Sequence, residues 1–111
     1  MVKSTEGIFV FQEDTAMFKN ERYVTCGVAA RIPLVTQLML WAMIDDLKAV
    51  EVDSFQVFFL SQANEKQKIT QMQEVPEFRR ELTVDCVEPV TEKVYVIDSI
   101  EYSTMLLAEE Y

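Results

Sequence analysis

The sequence predicts an α+β fold, in which a curved antiparallel sheet of five to six strands packs on one long helix and a short helix closes the chain. An apolar stretch at helical spacing runs from Ile32 to Val50. Short runs rich in Val, Phe and Tyr lie on both sides of it, separated by turn residues. The chain has 111 residues, half of them hydrophobic, so we expect a single globular domain over residues 1–111.

Two strands are predicted before the helix. The first covers Ile8 to Gln12, and a stronger one covers Arg22 to Ala30. Gly27 interrupts the second strand, which indicates a bulge or a close approach of another group to the backbone.

The long helix is predicted from about Leu34 to Val50. Pro33 lies at its first turn, where a missing N–H costs nothing because that donor has no partner within the helix. With about 100° between successive residues, the apolar side chains form two arcs. The first arc consists of Leu40, Trp41, Ile44 and Leu47. The second arc consists of Val35, Met39, Ala42, Met43 and Val50.

The first arc is sufficient to pack the helix on a sheet, so the second arc requires its own explanation. Either the sheet curls far enough to cover both arcs, or the second arc contacts a partner. Methionine is flexible and polarizable, and it is common at adaptable binding surfaces. The second arc is therefore our candidate partner face, for another protein or for a second copy in a homodimer.

A hairpin is predicted after the helix. Its strands are Phe55 to Ser61 and Gln67 to Glu74, joined by a turn at Ala63 to Lys66. Pro76 ends the second strand. Strict alternation of residue types then predicts a strand from Phe78 to Val87.

The last two predicted elements are a strand and a short helix. The strand covers Lys93 to Asp98. The helix covers Tyr102 to Glu110, with Ser103 as its cap and the Met105 to Leu107 segment packing on the core.

Five glutamines lie in or beside the central hairpin: Gln56, Gln62, Gln67, Gln71 and Gln73. The three that we single out are Gln56, Gln71 and Gln73. Glutamine presents a donor and an acceptor without a charge, so these residues form a candidate polar recognition face. The alternative is an exposed sheet surface that only keeps the protein in solution.

The composition argues against several classes of function. A net charge of −9 disfavours nucleic acid and anionic lipid, which both require clustered basic residues. The N-terminus lacks the pattern of a signal peptide, and no apolar run reaches the roughly 18 residues that a membrane span requires. We therefore expect the protein in the cytoplasm, with Cys26 and Cys86 as free thiols.

Reactive chemistry is sparse. The chain has no histidine, which removes the usual acid–base residue near neutral pH and almost every zinc site. Gly7 and Gly27 are its only glycines, too few for a phosphate-binding loop. Asp45 and Asp46 are adjacent on the helix and diverge, so they cannot share one proton or metal. We predict no catalytic residue, no cofactor and no metal, and we do not expect an enzyme.

The leading hypothesis is therefore a non-catalytic binding or regulatory module that acts through protein contacts. The alternative is an acidic inhibitor that imitates nucleic acid and occupies a basic groove of another protein. It rests on the segment from Leu82 onward, which has seven acidic residues against Lys93 alone. An enzyme that uses carboxylates alone is the third and least favoured hypothesis.

Several separated motifs resemble the DUF960 family, which comprises small proteins of unknown function from Firmicutes and their mobile elements. They lie in the family's order between Met17 and Arg80: Met17 to Thr25, Ile32-Pro33, Gln37, Leu40-Trp41, Ile44-Asp45, Gln56-Val57-Phe58 and Gln73 to Glu77. The resemblance implies an α+β fold with a helix packed on an antiparallel sheet, and it implies no catalytic residues. Two features depart from that pattern. Residues 1–16 precede the family's usual start, which implies an N-terminal extension or an added edge strand, and the Ala42-Met43 pair is apolar where the family is more polar. The second departure supports the candidate partner face.

Overall fold

The computed structural model describes residues 17–47 and 51–111, and its fold is α+β as predicted. The predicted strand at Ile8 to Gln12 lies outside the described residues. The elements in chain order are β1 (Glu21–Val24), α1 (Cys26–Arg31), α2 (Leu34–Asp45), β2 (Phe55–Ala63), β3 (Lys66–Gln73), β4 (Phe78–Asp85), β5 (Glu92–Asp98), β6 (Tyr102–Leu107) and a 3-10 turn (Ala108–Glu110).

The six described strands form one sheet in the order β1-β6-β5-β2-β3-β4. Five strands are antiparallel to their neighbours, but β1 pairs parallel to β6, with Glu21 opposite Tyr102. The sheet is therefore mixed, and the prediction of a purely antiparallel sheet is wrong at this edge. Two parallel strands must be joined by a long crossover connection, and here the chain between the end of β1 and the start of β6 forms that connection.

The predicted central hairpin is confirmed. Strands β2 and β3 are joined by Asn64 and Glu65, with Ala63 opposite Lys66. Both turn residues have positive φ, 53° and 66°, as a type I′ turn requires. Such a turn matches the right-handed twist of the strands and fixes their register.

The predicted strand from Arg22 to Ala30 is only half correct, because β1 ends at Val24 and α1 begins at Cys26. The Thr25 hydroxyl accepts a hydrogen bond from the N–H of Val28 at 3.3 Å and caps this helix. Gly27 therefore lies in the first turn of α1 and forms no bulge. Its backbone N–H donates to Glu110 Oε2 at 3.1 Å, so the predicted close approach to the backbone does occur.

The prediction of one long helix is wrong. Helix α2 has 12 residues and ends at Asp45, and α1 is a separate helix of six residues. Residues 48–50 are outside the described part of the chain. Near the C-terminus of α2, the carbonyl of Met43 accepts a hydrogen bond from Arg80 instead of continuing the helical pattern.

The predicted C-terminal helix is also wrong, because Tyr102–Leu107 is strand β6. Ser103, Met105 and Leu107 are buried at every second position, which is the period of a strand. Three consecutive apolar residues fit either structure. The strand is favoured here because β6 fills the space between β1 and β5 and satisfies backbone groups on both sides.

Both helices cover the same face of the sheet, and the core lies between the helices and that face. The first arc of α2 is buried as predicted, and Leu40, Trp41, Ile44 and Leu47 are each at most 9% exposed. The strands contribute the opposite half of the core: Phe58, Leu60, Ile69, Val94, Val96, Met105 and Leu107.

The type I′ turn offers a test of the hairpin. Because Glu65 has a φ of 66°, Glu65→Gly should raise the free energy of unfolding by about 1 kcal/mol, by removing the steric cost of a Cβ in the left-handed region. Chemical denaturation measures this change. Glu65→Ala is the control for loss of the charge, and an equal gain from that variant would contradict the steric explanation.

Candidate functional site

Helix α2 is apolar on its solvent side as well as on its buried side. Leu34 and Leu38 are 67% and 57% exposed, and they align with Ala42 at intervals of four residues. Val35, from the predicted partner face, is exposed beside them. An apolar stripe therefore runs along the outside of α2.

A groove continues this stripe toward the edge of the sheet. It has a volume of about 520 Å³ and lies between α2 and β4, and we call it the α2–β4 groove. It is lined by Met39, Ala42, Met43, Asp46, Arg80, Glu81 and Leu82. Three residues of the predicted partner face, Met39, Ala42 and Met43, are thus brought together here, although Met43 is largely buried. Val50 lies outside the described residues.

Arg80 joins α2 to the sheet at one end of the groove. Its guanidinium donates to the Met43 carbonyl at 2.6 Å, to Asp46 Oδ2 at 3.0 Å and to Gln71 Oε1 at 2.8 Å. The Met43 carbonyl is among the last of the helix, which have no partner within it, and a positive charge there is favoured by the helix dipole. Arg80 therefore acts as the C-terminal cap of α2.

Three glutamines of the central hairpin form a buried network. Gln56, Gln71 and Gln73 are each at most 2% exposed, so both an exposed recognition face and an exposed solubilising surface are wrong for them. Gln71 donates to Gln56 at 3.2 Å, and Gln56 donates to Gln73 at 2.7 Å. Gln73 in turn donates to the carbonyls of Glu51 and Pro76. The prediction of exposure fails because a glutamine side chain can be buried when other polar groups form its hydrogen bonds.

Asp45 and Asp46 diverge as predicted. Asp45 pairs with Arg22, while Asp46 pairs with Arg80 on the other side of the helix. The Arg22 guanidinium also lies 4.7 Å from the centroid of the Trp41 ring. These two carboxylates therefore help to attach α2 to the rest of the domain.

Glu110 connects the C-terminal turn to α1. Its carboxylate accepts hydrogen bonds from the Thr25 hydroxyl at 2.6 Å, from the Leu107 N–H at 2.8 Å and from the Gly27 N–H at 3.1 Å. These hydrogen bonds, that from Thr25 foremost, hold the pKa of Glu110 below its ordinary value. The arrangement stabilises the junction of β1, α1 and β6.

Residues 21–110 match the model of a family described as "Staphylococcal protein of unknown function (DUF960)". The chain belongs to the DUF960 family. The resemblance seen in the sequence is confirmed, and it extends beyond Arg80 through β6 to Glu110, the last residue of the following turn.

A solved structure shares the fold of this DUF960 protein. It is the crystal structure of a protein of unknown function from Enterococcus faecalis, with a TM-score of 0.78 and 20% sequence identity. The match covers 92% of this chain and 98% of the other. None of the curated proteins matches the sequence.

Other reactive groups of the DUF960 protein are dispersed. Cys26 and Cys86 are free thiols, and Cys26 is exposed. Within residues 17–47 and 51–111, no three acidic or cysteine side chains lie close enough together to hold a metal ion. Neither α1 nor α2 has the length that a helix needs to cross a bilayer.

The sheet face turned away from the helices holds a second apolar surface. Phe55, Tyr95 and Tyr111 pack edge to face or tilted, with ring centroids 4.9 to 5.6 Å apart. The Lys93 ammonium lies 5.3 Å from the ring centroid of Phe59 on the same face. This surface was not predicted as a site, although the alternation of Phe and Val in β2 contained a signal for it.

Four further residues of the candidate site were not predicted from the sequence. Leu34 and Leu38 have a clear signal, their spacing of four residues with Ala42, which predicts a third apolar side of the helix. Leu82 and its neighbour Arg80 have no such signal, because only the tertiary structure brings β4 against α2.

The role of Arg80 can be tested against its neighbour on the opposite face of β4. Arg80→Met leaves the Met43 carbonyl and Gln71 without their charged donor, and it should lower the free energy of unfolding by about 2 kcal/mol. Arg79→Met removes only an exposed pair with Glu81 and should cost less than about 1 kcal/mol. Urea denaturation compares the two, and equal losses would contradict the capping role.

The pKa of Glu110 makes the stability of the junction depend on pH. A carboxyl whose folded-state pKa is lowered stabilises the fold above its ordinary pKa and loses that contribution as pH falls through the lowered value. The wild type should therefore melt at a higher temperature than Glu110→Gln at neutral pH, and the difference should shrink as the pH falls into and below the ordinary range of a glutamate. Glu101→Gln, in the turn between β5 and β6, is the control. A difference that is constant from pH 7 to 3 would contradict this assignment.

Proposed function

We propose that this DUF960 protein is a non-catalytic binding or regulatory module that acts in the cytoplasm through protein contacts, with the α2–β4 groove as its docking surface. The observation that supports the proposal is the apolar surface formed by the exposed stripe of α2 and the groove beside it. Large exposed apolar patches are costly unless they meet a partner.

The composition of the groove favours a protein partner. Two methionines and Leu82 provide a deformable apolar surface, while Asp46 and Arg80 stand at its margin and offer charges for orientation. An apolar centre with a polar rim is the usual arrangement of a protein interface. The absence of histidine from the sequence also favours binding over acid–base catalysis.

The alternative of an acidic inhibitor receives less support, because most of the acidic residues in the segment after Leu82 already have partners within the domain. Glu92 and Glu109 pair with Arg31, and Asp85 pairs with Lys66. Asp98 accepts from two backbone N–H groups, and Glu110 is bound at α1. Carboxylates that already have a partner within the domain are less available to imitate a row of phosphates.

Site-specific photo-cross-linking tests the proposal. A photoreactive phenylalanine analogue replaces Ala42 in the groove, and in a control protein it replaces Val87, which is 99% exposed and lies outside the groove. After irradiation of cells that produce the protein naturally, we expect a discrete protein adduct at position 42, at least about tenfold more abundant than at position 87. Mass spectrometry identifies the occupant.

Equal adduct yields at the two positions would contradict the groove as a docking surface. A separate capture of the complex from unirradiated cells, washed at increasing salt, addresses the alternative. A complex held by apolar contacts persists, whereas the complex of a nucleic-acid mimic dissociates as the salt screens its charges.

A further inference from the structure

Strand β4 lies at an edge of the described sheet, directly beside the α2–β4 groove. An edge strand presents a row of unpaired backbone donors and acceptors, which is a template for pairing with another strand. The strand contains no proline and no glycine from Phe78 to Asp85. It therefore lacks two of the usual features that prevent such pairing.

The register of the sheet determines which backbone groups of β4 point outward. In a hairpin with a two-residue type I′ turn, the residues flanking the turn exchange hydrogen bonds, here Ala63 and Lys66. Every second residue of β3 from Lys66 onward therefore bonds to β2, and the residues between them bond to β4. By the pairing of β3 with β4, the residues of β4 that point their N–H and C=O groups outward are Arg79, Glu81, Thr83 and Asp85.

We infer that β4 pairs antiparallel with β4 of a second copy of this chain, about a two-fold axis at Leu82. The inference rests on the proposed function, and it identifies the partner as a second copy. In this register Arg79 lies opposite Asp85 of the second copy, and the symmetry repeats that pair. Leu82 meets its own equivalent on the axis, so the two grooves become continuous across the interface.

The charges of β4 select this register. A shift by two residues in one direction places Glu81 opposite Glu81 of the second copy, and a shift in the other direction places it opposite Asp85. Like charges directly opposite each other destabilise a strand pair. A shift by four residues brings Arg79 opposite Glu81, but it leaves only Phe78 to Leu82 paired and places Arg80 opposite its own equivalent.

The side chains that this pairing needs are accessible. The Arg79 side chain is 58% exposed and that of Asp85 is 93% exposed. Their partners within the chain, Glu81 at 2.7 Å and Lys66 at 3.5 Å, form surface ion pairs that contribute little to stability. Leu82 is 39% exposed and projects toward the groove. Exchange of these ion pairs for pairs with the second copy therefore meets little resistance.

A charge-swap experiment tests the pairing by sedimentation velocity on the full chain at concentrations up to the high micromolar range. The wild type should sediment at twice the mass of one chain. Arg79→Asp and Asp85→Arg should each weaken the dimer by roughly tenfold, because each turns two attractive pairs into repulsive ones. The double variant Arg79→Asp with Asp85→Arg should return the dissociation constant to within about threefold of the wild type.

The rescue is specific to the second copy. The double variant does not restore the pairs of Arg79 with Glu81 or of Asp85 with Lys66, so recovery cannot come from within one chain. Melting temperatures check that every variant is folded. A second variant, Thr83→Pro, removes one outward N–H without affecting the bonds to β3, and it should also dissociate the dimer.

Failure of this inference is distinguishable from failure of the proposed function. A wild type that is monomeric at every concentration, or a dimer that the charge swaps leave unchanged, overturns the pairing of β4. The photo-cross-link at Ala42 then still reports whether another protein occupies the groove. A single adduct of two identical chains at position 42, together with the charge-swap rescue, supports both.

Discussion

Arg80 fastens helix α2 to the sheet through hydrogen bonds in two directions. Its guanidinium reaches the backbone of α2 at Met43 and the side chain of Gln71 in β3. Without Arg80, both the Met43 carbonyl at the C-terminus of α2 and the Oε1 atom of the buried Gln71 would lose this hydrogen-bond donor. Arg80 therefore contributes to the position of α2, to the wall of the groove and to the glutamine network at once.

The glutamine network shows how a small sheet tolerates polar residues in its interior. Gln56, Gln71 and Gln73 lie on the same face of the sheet as Phe58 and Ile69, and each finds a partner among the others or in the backbone. A buried network that is fully satisfied rigidifies its surroundings, whereas one missing partner leaves a costly group behind. This part of the core therefore specifies its geometry more strictly than apolar packing alone would.

Features that depend on neighbouring residues could be predicted from the sequence, whereas features that depend on contacts between distant segments could not. The central hairpin could be predicted because the alternation of residues and the turn at Asn64 are local. Strand β6 could not, because its apolar triplet fits a helix equally well and only the gap between β1 and β5 favours a strand. Within the candidate site, Met39 and Ala42 were identifiable from helical spacing, whereas Arg80 and Leu82 belong to it only through the tertiary contact of β4 with α2.

The parallel pairing of β1 with β6 joins segments from opposite ends of the described chain. During synthesis on the ribosome, β1 emerges long before β6, so it cannot adopt its native pairing until nearly all the other elements have been made. Contacts of such long sequence separation form late and slowly in folding. The hairpin of β2 and β3 can form early from local contacts, while the edge at β1 closes last. Until then the nascent domain exposes part of its core, and transiently exposed apolar surface of this kind favours aggregation.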